Sequence, residues 1–338
     1  MLRCLIVLAT AATVVTLTGP ATGRAQIPDL SERPEAFIPP PLHPGGAHLE
    51  TRRLAEGVYA LVSDRNGVDN SGFVVGERGV LVIDAHINAA MARQIQTAVR
   101  AVTDKPILYL VNTNYHGDHT FGNYAFPAET RIVAHRATAE RMREFEAEKE
   151  FLLATVNGDR SVYADAELRL PDTVFDDSLR LDLGGRVVEL HHFGPGNTPG
   201  DAVVYVPEAR VAWTGNLVLG VGVPFLIEGG AEPYLRTIER FADALDVETI
   251  VPGHGPIVSR EILAAYRRYL GDLVTAMAGS DPGESVESAL GRMPLDPAYF
   301  PPGIDDATRA FIEGLHVFNV WRVLEERRVG MAAAGGGR

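Results

Sequence analysis

The sequence is nearly free of cysteine, since Cys4 is its single cysteine in 338 residues. Cys4 lies in an N-terminal segment where Arg3 precedes an uncharged apolar stretch, and small residues flank a possible cleavage point at Ala25. This pattern is typical of a secretory signal peptide. We therefore expect residues 1–25 to be removed and the protein to be exported, to the periplasm or out of the cell. The mature chain would then have no thiol, which excludes disulfide bonds and thiolate metal ligands.

The sequence also lacks an excess of positive charge and a second long apolar run. Its 31 Lys and Arg residues face 44 Asp and Glu residues, which gives a net charge of −13. Nucleic acid and anionic membrane surfaces repel such a chain, so we expect neither as a partner. After the signal segment, no stretch is apolar enough to cross a bilayer. A hydrophobic content of 46% with 22% charged residues is typical of a globular protein.

Composition and periodicity divide the rest of the chain into four segments. We expect a proline-rich leader at 26–46, an α/β domain at 47–258, a helical extension at 259–330 and a flexible tail at 331–338. Short apolar runs bounded by turn residues predict strands, and apolar residues at helical spacing predict helices. The predicted strands are Val58–Val62, Gly72–Val75, Val80–Asp84, Ile107–Val111, Ile132–Ala134, Leu168–Leu170, Leu179–Leu183, Val187–His191, Ala202–Val206, Val211–Thr214 and Thr249–Val251. The predicted helices are Ala89–Val102, Arg136–Glu150 with a solvated charged face, Pro233–Leu245, Ile262–Met277 and Asp306–Glu326.

The densest group of reactive side chains lies in Asn112–Asn123, which reads N-T-N-Y-H-G-D-H-T-F-G-N. It follows the predicted strand Ile107–Val111, so its loop lies where open α/β sheets place their functional sites. His116, Asp118 and His119 supply two imidazoles and a carboxylate, a ligand set that suits zinc. The alternative is a polar loop whose His and Asp side chains only cap the following turn.

Three further polar loops follow predicted strands. Each contains glycine, which allows the backbone to turn tightly. Because loops at the ends of neighbouring strands can converge on one point, we expect these to meet the first motif. They are Gly196–Asp201 (G-N-T-P-G-D), Thr214–Asn216 (T-G-N) and Gly253–Gly255 (G-H-G).

Taken together with Asn114–His119 (N-Y-H-G-D-H), these loops resemble the motifs of the metallo-β-lactamase superfamily. The corresponding family motifs are H-x-H-x-D-H, G-H-T-x-G-D, T-G-D and G-H-G, and Asp84 matches a structural Asp that ends an early strand. The resemblance spans about residues 55–258. It implies an α/β fold of four layers, an αββα sandwich with a metal site in the cleft between the sheet edges. The C-terminal helices are an addition to this fold.

Three positions that hold metal in two-metal members of the family carry asparagine here. They are Asn114, Asn197 and Asn216, the last in place of the bridging Asp. By the resemblance, one metal pocket would be built from Asn114, His116 and Asn197. His116 is its single good ligand, because a neutral amide oxygen is a poor partner for zinc. The asparagines are therefore substrate-contacting or vestigial positions.

The other pocket keeps its protein ligands, which the resemblance identifies as Asp118, His119 and His254. Catalytic zinc sites use three protein ligands and an open position for water. We therefore expect one tightly bound metal here, with zinc favoured over iron(II). Asp84 and Asp201 are expected behind the site, where such carboxylates orient ligands and turns.

Two residues are predicted to act in catalysis. Asp118 would hold the metal and orient the attacking water. His116, in a pocket without its metal, would orient substrate or move a proton; the alternative is that it merely hydrogen-bonds an Asn. Nearby, Arg65–Asn70 could form a hairpin flap over the cleft. We expect His86 on a surface loop; the alternative is that it faces the cleft.

The resemblance implies an exported, zinc-dependent hydrolase that acts on a small molecule. A water activated by the metal would attack a lactam, lactone or ester carbonyl. Two alternatives stay open. The asparagine replacements could mark a non-catalytic metal- or ligand-binding member, and two His with one carboxylate would also suit a non-hydrolytic mononuclear iron enzyme.

Overall fold

The chain forms two β-sheets packed face to face, with helices on both outer faces, in a computed structural model that describes residues 32–281 and 283–335. The signal-peptide prediction therefore lies outside the described residues. The first sheet contains β1 Leu49–Ala55, β2 Val58–Ser63, β3 Ser71–Val75, β4 Val80–Ile83, β5 Ile107–Asn112, β6 Arg131–His135 and β7 Thr173–Phe175. The second contains β8 Ser178–Asp182, β9 Val187–His191, β10 Val203–Val206, β11 Val211–Gly215, β12 Thr249–Pro252 and β13 Val258–Ser259.

Both sheets change from antiparallel to parallel pairing where the site lies. In the first sheet the strands follow chain order, with β1 to β4 antiparallel and β4 to β7 parallel. In the second, β11 and β12 pair in parallel. Parallel neighbours end at the same edge, so β4 with β5 and β11 with β12 each bring two loops to one edge. The two edges meet where Ala202 N donates to Thr113 O at 2.7 Å.

The core between the sheets depends on close approach of the two backbones. The Trp213 indole of β11 donates to the carbonyl oxygen of Ser71 at 3.2 Å. A Cβ atom on Gly72 would lie 2.3 Å from the Trp213 ring, so only glycine fits there. The apolar side chains around this contact come from both sheets and include Val58, Leu81, Val111, Val188, Val204 and Val251.

Helices cover the outer faces, as the αββα prediction requires. Asn88 caps the first helix by accepting from Met91 N at 3.0 Å, and the helix buries Ile95 and Val99 against the first sheet. The α-helices are α1 Ala89–Val102, α2 Gly117–Thr120, α3 Arg136–Arg141, α4 Phe145–Leu152, α5 Ala231–Ala244, α6 Ile262–Met277, α7 Val286–Arg292 and α8 Asp306–Gly335.

The C-terminal helices belong to the same core as the second sheet. Side chains of α5, α6 and α8, among them Phe241, Tyr266 and Phe318, pack in one apolar cluster with residues of β10 to β12. Helix α8 continues to Gly335, inside the segment predicted to be a flexible tail. Among the described residues, no helix combines the length and apolar character needed to cross a membrane.

Three local predictions were wrong. The single helix at Arg136–Glu150 is two helices separated by a 3-10 turn at Met142–Glu144. Its charged face is not wholly solvated, because Glu148 is 3% exposed. Leu168–Leu170 forms no strand. Strand β1, whose sequence L-E-T-R-R-L-A is rich in charge, was not predicted and forms the exposed edge of the first sheet.

Candidate metal centre

Four ligand-type side chains converge where the strands of both sheets end. Asp118 and His119 lie in the short helix α2 after β5, and His254 lies in the turn after β12. Asp69, on the loop before β3, joins them. Each offers one ligand atom, and these atoms all lie within 4.8 Å of one another. The structure thus brings together the three predicted ligands and adds one that sequence reasoning missed.

Hydrogen bonds fix both imidazoles with Nε2 directed towards Asp118. His119 Nδ1 lies 2.9 Å from Asp84 Oδ2, and Asp84 itself accepts from the backbone and hydroxyl of Thr113 at 2.8 and 2.7 Å. His254 Nδ1 donates to the carbonyl oxygen of Gly67 at 2.7 Å. The Nε2 atoms of His119 and His254 lie 3.8 and 3.4 Å from Asp118 Oδ2. A carbonyl or carboxylate behind Nδ1 is the arrangement that orients metal-bound histidines.

The electrostatics of the cluster fit a cation. Burial would raise the pKa of Asp118, but the imidazoles of His119 and His254 outweigh burial and hold that pKa below its usual range. Burial and the Asp118 carboxylate raise the pKa of Asp69 well above its usual range. Among the described residues, Asp69 Oδ1 and Asp118 Oδ1 are buried without a hydrogen-bond partner. Buried carboxylates of this kind are stable when they pair with positive charge or coordinate metal.

Asp69 reaches the cluster because its neighbour Asn70 ties the predicted flap to the His254 turn. Asn70 N donates to Gly253 O at 2.7 Å. Its side-chain amide donates to Pro252 O and Gly255 O at 3.0 and 2.8 Å. The segment is therefore a fixed wall of the site. The only hint in the sequence was the position of Asp69, two residues before a strand that pairs with β4.

His86 is not on the surface, contrary to the prediction. It is 1% exposed and has a left-handed backbone, with φ +67°. Its Nε2 lies 3.0 Å from the carbonyl oxygen of Asp69. Burial lowers the pKa of His86 to about 4, so its ring is neutral near pH 7. His86 therefore helps to hold the loop of Asp69 in place through this hydrogen bond.

Hydrogen bonds occupy the asparagine pocket. Asn114 Oδ1 accepts from His116 N at 2.9 Å, and the Asn197 amide donates to Phe225 O at 2.8 Å. The His116 ring contacts neither amide. Its Nδ1 lies 2.9 Å from Glu148 Oε1, and its buried Nε2 has no hydrogen-bond partner among the described residues. His116 is not part of the four-residue cluster.

Two further predicted positions, Asn216 and Asp201, lie near these pockets. Asn216 Oδ1 is 3.1 Å from His119 Nε2, beside the cluster. Asp201 accepts from the backbone and hydroxyl of Thr198 at 3.1 and 2.7 Å, which holds the turn that carries Asn197.

The sequence model of the metallo-β-lactamase superfamily matches residues 65–254, a stretch that contains all four cluster residues. The chain belongs to this superfamily. The predicted family and the predicted αββα fold are thereby confirmed.

Solved structures of superfamily members show the same fold. A metallo-β-lactamase from Pontibacter korlensis aligns over 67% of this chain and 100% of its own, with a TM-score of 0.55 and 19% identity. The sec-alkylsulfatase Pisa1 from Pseudomonas sp. aligns over 83% of this chain and 50% of its own, with a TM-score of 0.62 and 15% identity. FIM-1 of Pseudomonas aeruginosa, in its mono-zinc form, aligns over 66% of this chain and 95% of its own, with a TM-score of 0.52 and 16% identity.

A curated relative is a linear primary-alkylsulfatase from Pseudomonas sp., 23% identical over 230 residues. The alignment covers 58% of this chain and 43% of the relative, so the chain matches less than half of that protein's length.

Proposed function

We propose that this member of the superfamily is an exported hydrolase that works with one divalent metal ion, zinc, held by Asp118, His119 and His254. The observation that carries the proposal is the unequal state of the two pockets. In the cluster, both imidazoles direct Nε2 towards Asp118 Oδ2, and Oδ1 of the same carboxylate has no hydrogen-bond partner among the described residues. The asparagine pocket has its amides engaged in hydrogen bonds.

The residues divide the chemical work. The bound ion would supply a Lewis acid that activates water and polarises the oxygen of the scissile bond. Asp118 would hold the ion through one carboxylate oxygen, and its Oδ1, which has no hydrogen-bond partner among the described residues, would accept a hydrogen bond from the attacking water. His116 holds a proton near the leaving group, because Glu148 outweighs the effect of burial and raises the pKa of the imidazole.

A lactam, lactone or ester carbonyl is the proposed substrate group. A sulfate ester is the second candidate, favoured by one observation about coverage. The sec-alkylsulfatase structure aligns over 83% of this chain and the β-lactamase structures over 66–67%, so the larger alignment takes in more than the sandwich domain. The curated relative is also named as an alkylsulfatase.

An activity panel with a matched variant tests the proposal. The native protein and His254→Ala are assayed on a β-lactam, a lactone, an aryl ester and a primary alkyl sulfate. We expect turnover of one class by the native protein and its loss in the variant. Equal rates for both proteins on every substrate would contradict a metal-dependent hydrolase and favour a non-catalytic member.

The identity of the bound metal distinguishes the zinc hydrolase from the remaining alternative, a mononuclear iron enzyme. Two imidazoles with a carboxylate also suit iron(II). Elemental analysis that finds iron in place of zinc would favour a non-hydrolytic mononuclear enzyme. Export is tested by N-terminal sequencing of the protein from the periplasm or medium, where a start near Gln26 is expected.

A further inference from the structure

Among the described residues, no Lys or Arg pairs with the carboxylate of Asp69, although it is buried at 2% exposure. Its ion-pair contacts are with imidazoles: Oδ1 lies 3.0 Å from His254 Nδ1 and 3.8 Å from His119 Nε2. His254 Nδ1 already donates to Gly67 at a shorter distance. A buried carboxylate without charge compensation is costly. Its position therefore requires an explanation beyond packing.

The same site has lost a carboxylate on its opposite side. Asn216 stands at the end of β11, where the resemblance places the bridging Asp, and its amide oxygen is 3.1 Å from His119 Nε2. The amide carries no charge. Asp69 approaches the same nitrogen of His119 from the first sheet. One negative charge is missing from the second sheet, and one has been added from the first.

The fold positions Asp69 without help from a metal. Asn70, the next residue, makes three hydrogen bonds to the Pro252–Gly255 turn. On the other side, the His86 ring lies 3.0 Å from the backbone oxygen of Asp69. These contacts hold the carboxylate against the cluster, as a preorganised ligand requires.

We propose that Asp69 is a fourth protein ligand of the metal ion, replacing the carboxylate that Asn216 no longer supplies. This inference rests on the proposed metal site at Asp118, His119 and His254. The site would then hold one divalent cation between two carboxylates and two imidazoles. The two negative charges of the carboxylates would balance the charge of the cation. The site would still need an open position for water or substrate, as catalytic zinc sites do.

The competing explanation is that Asp69 only orients His254, through its contact with Nδ1. Asp69→Asn distinguishes the two, because it keeps an oxygen that can accept from His254 while removing the charge. The matched control is Asp64→Asn, an exposed Asp on the same loop that accepts from His48 N. Metal affinity is measured by competition with a chelator, and coordination by the visible absorption of the Co²⁺-loaded proteins.

As a ligand, Asp69 should matter strongly in metal binding. We expect D69N to weaken the affinity by well over about 100-fold, above the range for outer partners, and to change the Co²⁺ spectrum, while D64N matches the native protein. The double variant D69N/N216D should recover most of the affinity, because it restores a carboxylate beside His119. A positioning role predicts no recovery, since Asn216 does not contact His254 Nδ1.

Folding gives an independent readout. Without metal, D69N should fold and melt close to the native protein, because the contacts of Asn70 and His86 that hold this loop are unchanged. Its gain in melting temperature on adding Zn²⁺ should be smaller. Native affinity and spectrum in D69N, failure of N216D to rescue, or failure of metal-free D69N to fold would each overturn the inference. Absence of metal binding by the native protein would instead reject the proposed function itself.

Discussion

The two halves of the site share one short motif but differ in what surrounds it. Asp118 and His119 face His254 and Asp69, with buried carboxylate oxygens that no described protein group satisfies. His116, two residues earlier, faces Glu148 and is separated from the cluster. The first half has the properties of a cation site, and the second has those of a hydrogen-bonded polar core.

This difference shows that a pocket without metal ligands can keep polar side chains in its interior. Each Asn in the second half keeps a donor or acceptor that the backbone uses: Asn114 accepts from His116 N and Asn197 donates to Phe225 O. Glu148, on α4, is the hydrogen-bond partner of His116 Nδ1. These contacts satisfy part of the buried polar groups of the pocket without a cation. Among the described residues, His116 Nε2, Glu148 Oε2 and Asn197 Oδ1 stay without a hydrogen-bond partner.

The largest expected effect is a difference in metal binding between variants of the two halves of the site. His254→Ala should lose tight metal binding, by about 1000-fold or more, since it removes one of the imidazole ligands. Asn114→Ala should retain it. Chelator competition on both variants provides the measurement. Equal metal loss in the two variants would mean that the asparagine pocket also holds metal.

A smaller effect is expected for His116, in activity alone. His116→Ala should keep the metal content of the native protein and lower kcat by about 100-fold, the range for a group that transfers a proton. Steady-state kinetics on the substrate found in the panel, with metal analysis of the same sample, checks this. Full activity would show that His116 only completes the hydrogen bonding of its pocket.

The smallest effect concerns acid stability near the asparagine pocket. His135 stacks on His192 with ring centroids 3.8 Å apart, and His192 Nδ1 donates to the backbone oxygen of Asp201 at 2.8 Å. Burial, with the neighbouring His192, lowers the pKa of His135 from 6.5 to about 4. Protonation is therefore disfavoured in the folded state, so this stability is present above pH 6.5 and is lost as the pH falls towards 4.

The variant His135→Gln should show a shallower loss of melting temperature between pH 6.5 and 4 than the native protein does. His48→Gln, at an exposed position, is the control and should follow the native curve. Parallel curves for all three proteins would show that the stacked pair does not carry the acid sensitivity.

Local patterns in the sequence predicted three of the four residues that the structure brings together, and the strands that carry them. Motifs that follow an apolar run, such as Asp118 and His119 after β5, are readable because the strand and its loop are contiguous. Asp69 was not predictable in this way. Its place depends on Asn70 bonding to a turn 182 residues away in the chain. Glu148 was misassigned to a solvated face because its partner His116 lies 32 residues away.

The stoichiometry of metal in the native protein tests the central claim most directly. The protein is purified from the exported fraction without chelators, loaded with excess Zn²⁺, passed over a desalting column and measured by elemental analysis. The account predicts about one tightly bound equivalent, because one pocket keeps its ligands and the other has replaced them with amides. Two equivalents that survive desalting would contradict it.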